Sequence, residues 1–181
     1  MASIARLPLC LFLIILTFAI ANKYPLGVIG AANNSVCDST PKKLLCNFCL
    51  PSGNPHFVGD LTTQALKLVN CSLRQAVRAD ELIFNLCSLF PKNAELQFAC
   101  IGCHGCLDAI TNTLSSAVRN VKAKLFSDAR EDVNTTIFYE KKCILLMKSS
   151  RSSIPYTILQ ALIYYIGYAM DANAAIRLLH E

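Results

Sequence analysis

Cysteine content narrows the structural options for this chain more than any other property. Ten cysteines occur in 181 residues, far more than a cytosolic protein of this length usually carries, because reducing compartments keep thiols from pairing. Hydrophobic residues make up 54% of the chain and the formal net charge is only +5, a combination that excludes intrinsic disorder. We therefore expect one ordinary domain with a buried core, folded in a compartment that permits disulfides.

The start of the chain, residues 1–21, is typical of a secretory signal peptide. Arg6 provides the positive charge, residues 7–20 form the apolar stretch, and Ala19-Ile20-Ala21 supplies a small-x-small cleavage signature. The apolar stretch is shorter than the roughly 20 residues that a membrane-spanning helix needs, so a cleaved leader is favoured over an anchor. Cleavage before Asn22 removes Cys10 and leaves an odd number of cysteines, which predicts at least one thiol without an intrachain partner. The secreted chain has candidate N-glycosylation sites at Asn33, Asn70 and Asn134.

Helical periodicity dominates the rest of the chain. Residues 22–36 show no period and predict a flexible mature N-terminus, whereas residues 37–58 hold three prolines and predict short helical turns. In the four longer segments that follow, apolar residues recur at steps of three and four, as in amphipathic helices. The predicted core-facing positions are, helix by helix, Leu61, Ala65, Leu68, Ala76, Ala79, Ile83 and Leu86; Leu96, Cys100, Cys103, Leu107, Ile110, Leu114, Val118, Val121 and Leu125; Val133, Ile137, Ile144 and Met147; Ile158, Leu162, Ile166 and Ala169.

Polar residues and prolines mark the predicted ends of these helices. Asp60 is predicted to cap the first helix and Pro91 to end it, and the second opens after Asn93. Ser127-Asp128 is interpreted as the break before the third helix. Ser153 is predicted to cap the fourth helix, with Pro155 in its first turn.

The fold class follows from these segments and from the absence of any alternating strand pattern. The last apolar stretch, residues 154–170, is too short and too mixed for a membrane span and is interpreted as a buried helix. We predict an all-α domain over residues 37–181, an antiparallel up-down-up-down four-helix bundle that follows a short N-terminal helical hairpin and is stabilised by disulfides.

Three chemistries compete for the cysteines. Residues 100–104, Cys-Ile-Gly-Cys-His, match a c-type haem attachment pattern, yet they lie inside a sustained amphipathic helix, and only His56 and His180 remain for a further axial position. A zinc site would favour two tight knuckles, whereas the second cysteine pair lies within a helix. Its candidate ligands are Cys46, Cys49, Cys100 and Cys103, with Cys106 or His104 as substitutes. Structural disulfides are favoured over both, and no catalytic residue, cofactor or metal site is predicted.

Several sequence features occur in the order typical of one plant protein family. Cys37-Asp38-Ser39-Thr40-Pro41, followed by Cys46, resembles the opening of the invertase and pectin methylesterase inhibitors. Residues 59–66, Gly-Asp-Leu-Thr-Thr-Gln-Ala-Leu, are similar to the start of that family's first bundle helix. Cys103 and Cys143 lie 40 positions apart, the usual separation of the family's second bridge.

The resemblance covers residues 36–180, includes Asn173 in the closing helix pattern, and implies a disulfide framework. Cys37–Cys46 would staple the N-terminal hairpin, and Cys103–Cys143 would tie the second bundle helix to the third. Five cysteines lie outside that framework: Cys49, Cys71, Cys87, Cys100 and Cys106. They could form two more bridges and leave one free thiol, but most are interpreted as small buried hydrophobic residues.

The implied Cys103–Cys143 bridge constrains where the second helix ends. With a turn centred on Ser127 the two helical arms differ in length, and at about 1.5 Å per residue the cysteines would miss each other by roughly 12 Å. A disulfide tolerates a Cα separation of only ~7 Å. Either the second helix ends near Val121 or residues 127–132 are extended, and Cys106 is the alternative partner for Cys143.

The resemblance implies a secreted inhibitor, not an enzyme, that blocks the substrate cleft of a cell-wall carbohydrate-active enzyme in a 1:1 complex. The two candidate targets are nearly evenly balanced: Phe126-Ser127-Asp128 replaces the Pro-Lys-Phe that invertase inhibitors often insert into their target, whereas Thr40-Pro41 and residues 59–63 favour invertase. Pectin methylesterase is preferred over acid invertase because that branch of the family is larger. A secreted helical-bundle ligand or signalling protein is the second alternative. We expect an extracellular location in the apoplast or cell wall, with the vacuole as the alternative, and neither nucleic-acid binding nor stable membrane insertion. The candidate target contacts are Lys122, Lys124, Asp128, Arg130, Glu131 and Asp132.

Overall fold

Helices account for nearly all of the chain that the structure describes. The computed structural model describes residues 36–50, 60–150 and 154–180, which belong to the compact unit Asn34–Glu181. A 3₁₀ turn at Val36–Ser39 precedes five α-helices: α1 (Lys43–Cys49), α2 (Leu61–Leu89), α3 (Ala94–Lys122), α4 (Phe126–Ser149) and α5 (Tyr156–Leu178). No strand occurs in these three ranges, and the all-α prediction is confirmed. The predicted leader and residues 22–35 lie outside the described residues.

The four long helices form a bundle in which each member packs against two others. Helix α3 packs against α2 and α4, and α5 packs against α4 and closes the ring on α2. Helices α2, α3 and α4 run in alternating directions, because the connections at residues 90–93 and 123–125 are too short for a crossover. The largest fully buried side chains of this core include Leu68, Ile83, Leu107, Ile110, Leu114, Leu162, Tyr165 and Ile176.

Local sequence signals place the start of the first two bundle helices. The Asp60 carboxylate accepts a hydrogen bond from the Thr63 backbone N–H at 2.8 Å, and the Asn93 side chain accepts one from the Leu96 N–H at 3.0 Å. Both bonds satisfy backbone donors that a helix start leaves without a partner. Every predicted core-facing position is buried or half-buried except Leu125, which is half exposed because it lies beyond the end of α3.

The N-terminal hairpin is fastened to the bundle at several points. Cys49 of α1 is bonded to Cys71 of α2, and the backbone N–H of Lys42 donates to the Asp171 carboxylate of α5 at 2.8 Å. Leu45 packs directly on Gly167, where an added Cβ would overlap the Leu45 Cδ1. A glycine at this position therefore lets α1 approach the backbone of α5.

The turn between α3 and α4 differs from the predicted break at Ser127-Asp128. Helix α3 ends at Lys122, and Ser127 and Asp128 lie in the first turn of α4. Lys124 takes a left-handed conformation with φ 62°, and the Leu125 N–H donates to the Asn120 carbonyl at 2.8 Å. This is a Schellman termination, which usually carries glycine where Lys124 stands, so the sequence lacked the ordinary signal.

This turn lies about midway between Cys103 and Cys143, so the two helical segments that lead from it to these cysteines are nearly equal in length. Of the two solutions that the sequence left open, α3 ends one residue past Val121, and residues 127–132 are helical. The Cα atoms of Cys103 and Cys143 are 4.3 Å apart and the two residues form a disulfide. Cys106, the alternative partner, is a buried free thiol whose pKa is raised by burial.

Substitution of Lys124 by glycine should stabilise the protein. A side chain in the left-handed region costs on the order of 1–2 kcal/mol, and glycine loses part of this advantage to its greater unfolded-state entropy. We expect Lys124→Gly to raise the free energy of unfolding by about 1 kcal/mol in urea titrations. Lys122→Gly, at the last residue of α3, is the matched control and should lower the free energy of unfolding, because glycine is a poor helix former. A lower midpoint for Lys124→Gly would contradict the assigned turn.

Two additional disulfides correct the sequence interpretation of the cysteines. The structure contains Cys37–Cys46 and Cys103–Cys143, the pairs that the family resemblance implies, and also Cys49–Cys71 and Cys87–Cys100. The interpretation of most extra cysteines as simple buried hydrophobic residues was wrong. Helical periodicity places cysteines on faces but does not show which helices are neighbours, and that adjacency decides the pairing.

The last apolar stretch forms α5, as predicted, but the helix starts differently. Pro155 is the residue before the helix rather than part of its first turn, and its ψ of 139° is extended. Ser153, the predicted cap, lies outside the described residues. None of the helices in the described ranges is long and apolar enough to cross a membrane.

Candidate functional site

The predicted target contacts lie together at the end of the α3–α4 hairpin. Lys122 ends α3, Lys124 occupies the left-handed turn position, and Asp128 lies in the first turn of α4. These three side chains, and those of Arg130 and Glu131, are exposed. The hairpin end therefore presents two lysines beside Asp128 and Glu131, and Asp128 is placed favourably in the first turn of α4, near the positive end of the helix dipole.

Two of the predicted contacts also tie α4 to its neighbouring helices. The Asp132 carboxylate accepts a hydrogen bond from the Asn120 side chain at 2.9 Å, which ties α4 to α3. Arg130 Nε donates to the Asn173 side-chain oxygen at 3.2 Å, and the Asn173 amide donates to Asn134. Asp132 therefore joins α4 to α3, and Arg130 joins α4 to α5. The other candidate contacts have their side chains exposed to solvent: Lys122, Lys124, Asp128 and Glu131.

A second exposed surface, which the sequence reasoning missed, lies between α2 and α3. Phe84, Phe98 and Ile101 are 67%, 73% and 72% exposed, and we call them the α2–α3 apolar patch. Beside it, a cleft of about 320 Å³ has the Cys87–Cys100 disulfide in its wall. Exposed apolar groups this close together often mark an interaction surface. In the sequence, these residues could have been recognised because they are large and apolar but lie outside the core-facing positions of their helices.

An imidazole and two carboxylates meet at one end of the same cleft. His104 Nδ1 lies 2.6 Å from an Asp80 carboxylate oxygen, and His104 Nε2 lies 3.7 Å from Asp108 Oδ2. The hydrogen bond and negative charge of Asp80 raise the pKa of His104, and Asp108 adds to the effect. Sequence spacing shows only the His104–Asp108 pair, because Asp80 reaches it by packing of α2 on α3.

The other residues that the sequence suggested for glycosylation, zinc binding or haem binding differ in where the structure places them. Asn70 and Asn134 are exposed on α2 and α4, and the Asn134 side chain also accepts a hydrogen bond from Asn173, whereas Asn33 lies outside the described residues. His56 also lies outside them, and His180 is exposed at the end of the described chain. Cys46, Cys49, Cys100 and Cys103 are all disulfide-bonded, which leaves none of them as a thiolate for zinc or for haem attachment.

Comparison of the chain with protein-family models and with curated proteins gives no match. The resemblance to plant inhibitors is therefore carried by the cysteine spacings and the helix-start motif of this chain itself.

Proposed function

We propose that this protein is a secreted inhibitor that blocks the substrate cleft of a cell-wall carbohydrate-active enzyme, with pectin methylesterase as the first candidate. The observation that supports the proposal most is the combination of a four-helix bundle with bridges at Cys37–Cys46 and Cys103–Cys143. These are the fold and the pairs that the resemblance implies. Two further bridges, Cys49–Cys71 and Cys87–Cys100, add to the same framework.

Rigidity is the physical property that an inhibitor of this kind needs. A surface that is already ordered loses little conformational entropy on docking, so more of its contact energy is retained as affinity. Here α1 is bonded to α2, α2 to α3, and α3 to α4, each by one disulfide. Only α5 lacks such a bridge within the described chain, and the bond between Asp171 and the Lys42 backbone contributes to its attachment.

The shape of the hairpin end favours pectin methylesterase over acid invertase. In the resembling family, invertase inhibitors insert a loop between bundle helices into their target, whereas pectin methylesterase inhibitors lay helices across the pectin groove. The α3–α4 connection has only three residues, and Phe126, Ser127 and Asp128 are helical. A tight turn followed immediately by helix offers little loop to insert and leaves the helical surfaces as the docking element.

The decisive experiment is coincubation of the purified mature protein with pectin methylesterase and, separately, with acid invertase. We expect loss of methanol release from pectin and a 1:1 complex in size-exclusion chromatography with light scattering. Inhibition of invertase alone would select the alternative target. If neither enzyme is inhibited while circular dichroism shows an intact bundle, the inhibitor proposal fails and a ligand or signalling role takes its place.

Charge reversal at the hairpin end should weaken inhibition. We expect Lys122→Glu combined with Lys124→Glu to raise the inhibition constant by about tenfold, because a target surface that complements the two lysines is acidic and would repel two glutamates. The matched control is Lys92→Glu combined with Lys148→Glu, which makes the same charge change with exposed lysines at the opposite end of the bundle. The control should change the inhibition constant less than about twofold. Equal effects of the two double variants would exclude the hairpin end as a contact.

A further inference from the structure

We propose that His104 and Asp108 form a surface site for a divalent transition-metal ion such as Zn²⁺, with Asp80 as the positioning residue that holds the imidazole. The proposal is independent of the inhibitor function and involves no cysteine. It rests on the placement of an imidazole between two carboxylates at the end of the α2–α3 cleft.

His104 and Asp108 are four residues apart on α3, so their side chains lie one above the other on the same helix face. Their Nε2 and Oδ2 atoms are 3.7 Å apart. Two ligands bound to one tetrahedral Zn²⁺, with bonds of about 2.0–2.1 Å, would lie about 3.4 Å apart. A rotamer adjustment of a few tenths of an ångström would therefore bring both atoms into the first coordination sphere.

Asp80 supplies the outer contact that histidine ligands usually have. Its carboxylate lies 2.6 Å from His104 Nδ1, a hydrogen bond that in the neutral imidazole keeps the proton on Nδ1 and leaves Nε2 as the nitrogen that can bind a metal. Such carboxylate–histidine pairs orient the ring and raise its basicity as a ligand. The three groups together can place their ligand atoms within 4.8 Å of one another, and the two carboxylates balance the charge of a divalent ion.

The surroundings of the site favour an ion that keeps open coordination positions. The side chains of His104, Asp108 and Asp80 are 53%, 64% and 26% exposed, so water can complete the coordination. The supporting helices are fixed nearby by the Cys87–Cys100 bridge. Apart from buried Cys106, the cysteines of the described chain are disulfide-bonded and do not compete as thiolates.

Zinc titration of the oxidised mature protein by isothermal titration calorimetry tests the proposal. We expect saturable binding of one Zn²⁺ per chain, no binding of Mg²⁺, and loss of the saturable heat in His104→Gln. Asp108→Asn should weaken binding strongly and Asp80→Asn by about tenfold, the typical effect of removing an outer-sphere partner. In ¹H–¹⁵N spectra of the imidazoles, Zn²⁺ should shift His104 Nε2 while Nδ1 stays protonated.

Two matched controls separate this site from general charge and histidine effects. Glu81→Gln removes an exposed carboxylate next to Asp80, and His180→Gln removes an exposed histidine elsewhere. Both should bind Zn²⁺ within twofold of the unsubstituted protein. The proposal is overturned if no saturable binding occurs, if Mg²⁺ binds as well as Zn²⁺, or if His104→Gln binds normally.

Discussion

The free energy of unfolding should fall by about 3 kcal/mol because of Glu140 alone when the pH rises from about 4 to about 8. Glu140 lies on α4 with its side chain fully buried, and neither carboxylate oxygen has a hydrogen-bond partner in the described structure. Burial raises the pKa of this carboxyl from 4.5 to about 7, against the opposing effect of the Lys141 charge. A buried group of this kind is held in its neutral form because the charged form loses its hydration.

The direction of the effect follows from proton uptake. Between the unfolded pKa of 4.5 and the folded pKa of about 7, the native state binds more protons at Glu140 than the unfolded chain. Stability is therefore fully present below the lower pKa and is lost as the pH rises through the folded pKa. Burial raises the pKa of the Tyr165 hydroxyl on α5, and the nearby Glu140 charge raises it further, so this phenol stays neutral across this pH range.

Urea unfolding of the unsubstituted protein and of Glu140→Gln across this pH range measures the effect. The glutamine does not titrate, so the variant should lose about 3 kcal/mol less than the parent between the two ends of the range. Glu131→Gln, an exposed position on the same helix, is the matched control and should keep the parental pH profile. Identical profiles for the parent and Glu140→Gln would show that Glu140 is not held neutral in the core.

A second buried carboxylate, Asp171, should add to the loss of unfolding free energy with rising pH in the parent and in both variants. Burial raises its pKa to about 6, against the stabilising bonds from the Lys42 backbone and Thr40. Since Asp171 is present in the parent and in both variants, its contribution cancels when their pH profiles are subtracted. The remaining pH dependence of Glu140→Gln includes the contribution of Asp171 and that of His104, whose pKa is also raised.

Glu140 also illustrates how far a sequence pattern reaches in this protein. The apolar period of α4 passes through Val133, Ile137, Ile144 and Met147, and position 140 falls on the same stripe. The pattern therefore predicts a buried position, but the residue type suggests a solvated one, and only the packing of α5 shows that burial prevails. Helix existence and core-facing positions were predictable because they depend on spacing along a single segment.

The functional surfaces were less predictable because they depend on contacts between segments. The exposed lysines of the hairpin end could be found from their charge and from their position at the end of the second apolar period. The α2–α3 apolar patch and the approach of Asp80 to His104 required the relative rotation of two helices about their axes, which periodicity does not give. The Lys124 turn was missed for another reason, since no glycine marks the left-handed position.

Removal of the Cys103–Cys143 bridge should have an effect at least as large as that of Glu140. The two cysteines are 40 residues apart and join α3 to α4. Without the bridge, the unfolded chain gains the freedom of a loop of that length, which corresponds to about 4 kcal/mol in the chain-entropy treatment. Cys37–Cys46 has a separation of only nine residues, and its loss should cost about 2.5 kcal/mol by the same relation.

The comparison requires double alanine variants because Cys106 carries a free thiol on α3, three residues beyond Cys103. In Cys103→Ala alone, Cys143 could pair with Cys106 and close a loop of nearly the same length, which would hide the loss. We therefore expect Cys103→Ala/Cys143→Ala to lower the free energy of unfolding more than Cys37→Ala/Cys46→Ala in urea titrations at one pH. The free energy of unfolding of the single variant Cys103→Ala should lie between those of the parent and the double variant. Without a new bridge, the denatured, unreduced single variant would expose two thiols to alkylation. If Cys143 pairs with Cys106, alkylation should count fewer than two. An equal loss for the two double variants would mean that loop length does not set the contribution of these bridges.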